Sequence, residues 1–262
     1  DTYFASQINA VAVAAITITF PIFFMIIAIS SGTRQGATAL IANAEGANNK
    51  ALAKQYLVQT ISFSIVAAII IMIIGLITAP YLFKILHAEG EYFNFAIQYT
   101  NILLYGCLFI ILDSTPTAGL NAVGDTKTYG RVFIIGFFIN LILDPLFIYG
   151  YGPIPPMGVE GIAYATIFAE FIATIYVFYR VKKMTSYFDN ITLIDFLPKF
   201  KHQYEIAKQA LPASINMFAV GAGFFIITFF VSFFPTPETS DVSIAAYGIA
   251  IRIEQIILLP AI

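Results

Sequence analysis

The chain has 262 residues, of which 59 % are apolar and only 11 % charged, and its mean hydropathy is +0.85. A soluble domain averages roughly 45–50 % apolar and about 25 % charged residues, so this composition excludes an ordinary soluble enzyme and, with so many hydrophobes, a disordered chain. A net charge of −2 offers no field for nucleic acid, and the single cysteine, Cys107, excludes an intrachain disulfide framework and a cysteine-rich zinc site.

About 20 mostly apolar residues carry a helix across a bilayer. Seven stretches meet that need: 8–31, 57–79, 95–112, 132–149, 159–179, 211–234 and 242–262. None alternates with the period of a membrane β-barrel strand. The fold class is therefore all-α, a polytopic helical membrane protein with about seven spans. The chain starts at Asp1 and stops inside an apolar run, so it is expected to be a segment of a longer protein.

Basic residues orient the spans, because Lys and Arg gather on the cytoplasmic side. The loops after the first, third and fifth spans hold Lys50, Lys54, Lys127, Arg131, Arg180, Lys182, Lys183, Lys199, Lys201 and Lys208, whereas those after the second, fourth and sixth hold only Lys84. The odd-numbered loops thus face the cytoplasm, and a helix preceding the first span would put the N-terminus of the full protein inside. Between the fifth and sixth spans the chain is polar, with Phe188, Phe196 and Phe200 interspersed. It reads as a cytoplasmic linker lying on the membrane, and it divides the chain into an N-terminal lobe (1–184), a linker (185–208) and the start of a second lobe (209–262).

An internal repeat supports two lobes. At an offset of 231, Ala14, Ala15, Ile18, Ile22 and Ile26 meet Ala245, Ala246, Ile249, Ile253 and Ile257. Both helices run inward, as a parallel repeat requires, and transporters often consist of two such halves with substrate between them.

Ionisable side chains inside a span cost roughly 2.5–3.5 kcal/mol on insertion scales and mark functional positions by default. Five stand out: Asp113, Asp144, Glu170, Arg252 and Glu254. Asn140 lies one helical turn before Asp144, on the same face, and Pro145 removes a backbone donor beside it. Together they offer oxygen ligands suited to a hard cation or a proton. Asn94, Gln98, Asn101 and Tyr105 form one polar stripe at helical spacing; Thr166, Glu170 and Thr174 form another. Such stripes line water or join helices. Asp113 precedes Ser114-Thr115-Pro116, a kink, and reads as a packing device; Gly32 and Gly36 have the spacing of a close helix contact. His87 and His202 read as solvated loop residues. No phosphate-binding loop, zinc-protease motif or nucleophile elbow is present, so no enzyme activity is expected.

The segment Gly119-Leu120-Asn121-Ala122-Val123-Gly124-Asp125-Thr126-Lys127-Thr128 resembles a cytoplasmic loop of the multidrug and toxic compound extrusion (MATE) family. Asn140 through Ile148, Gly158 through Thr166, Ser31 through Ala47 and Arg252-Ile253-Glu254 resemble it in the same order. The resemblance implies twelve helices in two six-helix lobes around a cleft, of which this chain carries the end of helix one, helices two to seven and most of helix eight. It implies export of cationic or amphipathic compounds in exchange for Na⁺ or H⁺, with no cofactor, by a monomer in the cell membrane. In the bacterial and archaeal branch the ion-sensitive carboxylates match Asp1 and Asp144, with Asn140 beside them; these three are the metal ligands if the ion is Na⁺. Tyr99 and Thr166 are similar to polar residues of the same cavity, to which Glu170 is added. Another branch uses an acidic residue in helix seven, and 211–234 has none. Tyr129 departs from the pattern, since proline often follows this loop.

Two other functions compete. A lipid-linked-intermediate flippase would share the apolar cleft but needs cationic residues to hold phosphate, and the spans offer almost none. A seven-helix receptor fits the span count, but the last span has no lysine for a retinal Schiff base and the repeat has no place in it.

Overall fold

In the computed structural model, residues 1–233 and 240–258 are described, and among them the only strand-type pairing is an isolated bridge between Tyr151 and Ile154. The helices are α1 (Thr2–Ile8), α2 (Ala10–Gly46), α3 (Lys50–Ile85), α4 (Gly90–Leu112), α5 (Ser114–Ala122), α6 (Lys127–Tyr149), α7 (Val159–Met184), α8 (Phe200–Phe233) and α9 (Ser240–Leu258). Six helical stretches are long and apolar enough to cross a membrane, α4 and α5 together making one of them. The seventh expected span is α9, whose apolar stretch is Val242–Ile251. The side chains of Arg252 and Glu254, and residues 259–262, lie outside the described residues.

Asparagine side chains cap the starts of two long helices. Asn9 Oδ1 accepts the Ala12 N–H at 2.7 Å and starts α2. Asn48, with φ +59°, turns the chain, and Asn49 Oδ1 then accepts the Leu52 N–H to start α3. The expected break at Asp113 separates α4 from α5. Pro145, by contrast, lies inside a continuous α6. The loop returning from α6 donates Met157 N–H to Phe147 O and Gly158 N–H to Ile148 O, which satisfies two of the last carbonyls of that helix.

α2 is the central helix. Every residue from Ala12 to Pro21 is buried, and α3, α4, α5, α8 and α9 pack around it. The Gly32/Gly36 spacing meets α8 as expected: a Cβ on Gly32 would sit 2.0 Å from Ser214 Oγ, and one on Gly36 would sit 2.7 Å from the Ala210 backbone nitrogen. Farther along α2, a Cβ on Gly248 of α9 would fall 2.0 Å from Thr17 Oγ1. Hydroxyls join the helices elsewhere. Thr19 and Thr100 share a hydrogen bond of 3.1 Å, Ser64 and Thr115 one of 2.9 Å, and Thr174 Oγ1 donates to Phe109 O. Such bonds average about 0.6 kcal/mol in membranes, so they set register more than they add stability. Most of the α4 stripe points away from the bundle, and Asn101 is half-buried. Asn94, Gln98 and Tyr105 are exposed, because the buried face of α4 is the one carrying Tyr92, Ala96, Tyr99 and Leu103. His202 is half-buried, edge-on to the Tyr56 ring at 5.6 Å, rather than solvated.

The α2–α8 contact is backbone against backbone, so the neighbour of Gly36 cannot yield by turning a side chain. Gly36→Ala is expected to destabilise the full-length protein by about 1–3 kcal/mol. Gly223→Ala, where a Cβ meets nothing within 4 Å, is expected to leave stability unchanged or raise it by up to about 1 kcal/mol. Thermal denaturation of both variants in detergent checks the contrast.

Candidate functional site

The start of the chain, α2, α4 and α7 enclose a cavity of about 60 Å³ whose polar lining is Asp1, Thr19, Tyr99 and Thr166. Thr166 comes from the buried face of α7 and lies 165 residues from Asp1 in sequence, yet its Oγ1 donates to Asp1 Oδ2 at 3.3 Å. The same hydroxyl lies 3.1 Å from Ile162 O on its own helix, so one proton serves two acceptors. The backbone nitrogen of Asp1 lies 3.2 Å from Asp144 Oδ2. As a terminal amine or as a peptide N–H of a longer chain, that nitrogen is a donor. Asp144 is only 1 % exposed, and its Oδ1 is buried with no hydrogen-bond partner among the described residues. A buried acceptor without a donor costs about 1–3 kcal/mol, more when charged, so the fold holds Asp144 in a state that a proton or cation would relieve.

Asn140 and Glu170 are not in that cavity. They line a second one of about 360 Å³ between α2, α4, α6 and α7, together with Asp113, Ser30 and Tyr129. The single cluster expected from the sequence is thus divided: Asp1, Tyr99 and Thr166 surround the small cavity, Asp144 is tied to it through Asp1, and Asn140 and Glu170 face the large one. Phe23 belongs to both linings. The α7 stripe accordingly serves three purposes, with Thr166 at the small cavity, Glu170 at the large one and Thr174 bonded to α4.

Asp113, read from sequence as a packing device, faces the large cavity. Thr117 Oγ1 approaches its Oδ2 at 3.4 Å, while its Oδ1, like Asn140 Oδ1, is cut off from solvent without a partner among the described residues. Arg34 lies with its guanidinium carbon 4.3 Å from the centre of the Tyr129 ring, a cation–π contact. This explains what an aromatic residue does at the position where the resembled loop often has proline. Asp113 was recognisable as an ionisable residue inside a span; Arg34 carried no signal beyond its charge. No group of three or more His, Cys, Asp or Glu among the described residues could hold a metal ion.

At the α5–α6 loop, Gly124 takes φ +84°, and the Asp125 carboxylate accepts three donors: Thr128 N–H at 3.0 Å, Thr128 Oγ1 at 2.6 Å and Arg180 Nη2 at 3.1 Å. The loop is thereby fixed at once to the first turn of α6 and to the end of α7.

The sequence pattern of the MatE family matches residues 1–146. A probable multidrug resistance protein, YoeA of Bacillus subtilis, is 30 % identical over 255 residues, covering 96 % of this chain and 54 % of that protein. An FAD transporter of Shewanella oneidensis is 31 % identical over 173 residues, covering 66 % of this chain and 38 % of that protein. A solved inward-facing conformation of a multidrug resistance MATE transporter of the MOP superfamily superimposes with a TM-score of 0.87 at 28 % identity, covering 99 % of this chain and 57 % of that one. The chain therefore spans about half the length of these fuller relatives.

Its Thr128 hydroxyl bond, before the Arg180 charge, holds the Asp125 carboxyl below the usual carboxylate range. A carboxyl whose folded pKa is lowered stabilises the fold above its unfolded value of about 3.9, and that stability is lost as pH falls through the folded value. Asp125→Asn is therefore expected to melt at a lower temperature than the unmodified full-length protein at neutral pH. The difference between the two is expected to close as pH is brought below about 4, as read from melting curves across pH.

Proposed function

Because this chain belongs to the MatE family of transporters, we propose that it supplies one lobe, and the beginning of the other, of an exporter that exchanges an organic cation for Na⁺ or H⁺ by alternating access. The observation that carries this reading is a small cavity lined by Asp1 and Thr166, with the buried Asp144 joined to it through Asp1, beside a larger acidic cavity.

The two cavities suit two solutes. The small one offers carboxylate and hydroxyl oxygens, the donors preferred by a hard cation or a proton, and is too small for a drug. The large one is at the lower end of the range for small-molecule sites, about 300–1,000 Å³. It presents Asp113, Glu170 and Asn140 among aromatic walls, with no lysine, arginine or histidine in its lining. That lining suits a protonated amine with an apolar body. It disfavours an anion, whether a dinucleotide, as handled by the Shewanella relative, or the phosphate of a lipid-linked intermediate. Phe23, the shared wall, is the direct route by which ion binding at Asp1 and Asp144 changes the shape of the substrate cavity.

Coupling requires the ion to bind the two conformations with different affinity. Asp144 meets that requirement if α1 and α7 separate in one state, since its Oδ2 is held by the Asp1 nitrogen at the chain start, which Thr166 of α7 also holds. The positions of the basic residues place the α2–α3, α5–α6 and α7–α8 connections in the cytoplasm of a cell-membrane protein. The repeat offset supports the lobe division at the α7–α8 linker: Thr17 and Gly248, which touch, are themselves 231 positions apart, and helices related by a two-fold axis meet at equivalent residues. A monomer is the assembly proposed for the full-length protein, with both lobes in one chain.

Full-length protein in proteoliposomes, with a fluorescent organic cation and with Na⁺ and H⁺ gradients imposed separately, tests the proposal. Asp144→Asn is expected to abolish gradient-driven transport while expression persists; undiminished transport would sink the coupling role. Glu170→Gln is expected to weaken cation binding about tenfold or more, the worth of one charge-assisted contact of about 1.5–3 kcal/mol, while the response to the ion gradient remains. Equal binding of the cation by both proteins would remove Glu170 from the substrate site.

A further inference from the structure

Between α7 and α8 the chain makes a short 3-10 turn, Leu193–Phe196, whose backbone is clasped by α3. Gln59 Nε2 donates to Asp195 O at 2.8 Å and to Leu197 O at 2.9 Å, and Gln59 Oε1 accepts Lys199 N–H at 2.7 Å. Ser62 Oγ donates to Phe196 O, and Gln203 Nε2 donates to Gln59 Oε1 and to its backbone oxygen. Pro198, between the clasped residues, has no N–H to satisfy. Gln59 itself is 0 % exposed.

The depth of this clasp follows from the sequence of α3. Its apolar run starts at Leu57, and Gln59 and Ser62 lie inside that run. Non-helical backbone at membrane depth is tolerated only where protein groups satisfy it, and Gln59, Ser62 and Gln203 do so here. The opposite side of the same segment is bare. Leu193 is 88 % exposed, Ile194 72 %, Leu197 61 % and Phe200 87 %. Four large apolar side chains within eight residues are exposed on the side away from the clasp, level with the start of the apolar run of α3.

The charges around the segment are complementary to an anionic surface. Lys199 and Lys201 flank the apolar residues, and Lys182 and Lys183 end α7 nearby in sequence. The acidic residues of the region have contacts of their own. Asp195 Oδ2 accepts the N–H and the hydroxyl of Thr192, Glu205 accepts the Tyr56 hydroxyl at 2.8 Å, and Lys54 binds the Asp189 backbone oxygen.

We infer that residues 193–200 form an interfacial strap: Leu193, Ile194, Leu197 and Phe200 insert into the acyl boundary of the bilayer, and Lys199 and Lys201 rest on anionic headgroups. Insertion follows from the clasp geometry; its assignment to the cytoplasmic leaflet rests on the orientation proposed above. The strap joins α7 to α8, so the same clasp fixes the start of α8 to α3 at the membrane surface.

Depth-dependent quenching tests the strap in the full-length protein. Cys107 is buried; in full-length protein with any other cysteines replaced by serine, an environment-sensitive fluorophore on Leu193→Cys or Phe200→Cys reports that site, with Val123→Cys in the α5–α6 loop as the comparison. In phosphatidylcholine–phosphatidylglycerol vesicles, both strap labels are expected to be quenched by lipid spin-labelled at a shallow acyl position and protected from aqueous iodide, with the loop label showing the reverse. Lys199→Gln with Lys201→Gln is expected to remove any difference in lipid quenching between phosphatidylglycerol-containing and pure phosphatidylcholine vesicles. Iodide quenching of the Leu193 label equal to that of the loop label would overturn insertion. So would protection from both quenchers, which would place protein over the strap. In right-side-out membrane vesicles, quenching by spin-labelled lipid confined to the outer leaflet would overturn the orientation alone.

Discussion

Along α2, Gly32 and Gly36 leave no room between its backbone and that of α8. In a bilayer the apolar side chains of a helix gain little by leaving lipid for one another, so helices associate through close packing and the few polar contacts they can make. A Cβ at Gly36 would strike backbone nitrogen and carbon of α8, and a contact that tight fixes both helices in register. The remaining helices are arranged around this pair. α2 contributes Ile16, Thr19 and Phe20 to one cavity and Ile27 and Ser30 to the other, with Phe23 in both. α8 carries Gln203, which helps hold the strap to α3. The small cavity, the larger cavity and the 193–200 segment therefore share a common frame.

Polar groups inside that frame fall into two populations. Thr19, Thr100, Ser64, Thr115 and Thr174 spend their hydroxyls on neighbouring helices. Asp113, Asn140 and Asp144 each keep a buried oxygen that no described residue satisfies. The first population adds a few tenths of a kcal/mol per bond, while each member of the second costs more than one such bond returns. The proposed transport function therefore rests on these residues rather than on the better-bonded ones.

Several features were legible because they depend on local rules. Apolar run length located the spans, although the helices continue beyond them, since capped ends such as Asn9 and Asn49 lie outside the apolar core. The glycine spacing on α2 anticipated a close approach, and the Asp113–Pro116 segment anticipated the break between α4 and α5. Other features were misread because helical period tells which residues share a face but not what that face meets. Asn94, Gln98 and Tyr105 share a face that points away from the bundle. Asn140 and Asp144 share a face of α6, yet one turn of helix separates them enough to serve different cavities. Gln59, a polar residue early in an apolar run, gave no hint that three backbone groups of a distant segment depended on it.

Sequence alone determined that the protein is helical and membrane-spanning, approximately where its spans lie, and, through motif resemblance, its family. These properties come from residue-by-residue transfer energies and from caps that act within one turn. Only the tertiary structure decided which polar residues act together. It joined Asp1 to Thr166 and Asp144, moved Asn140 and Glu170 to a second cavity with Asp113, and set residues 193–200 against Gln59. Those pairings depend on helix rotation and depth, which are set by backbone contacts between residues far apart in the chain, and no local pattern encodes the angle at which two helices meet.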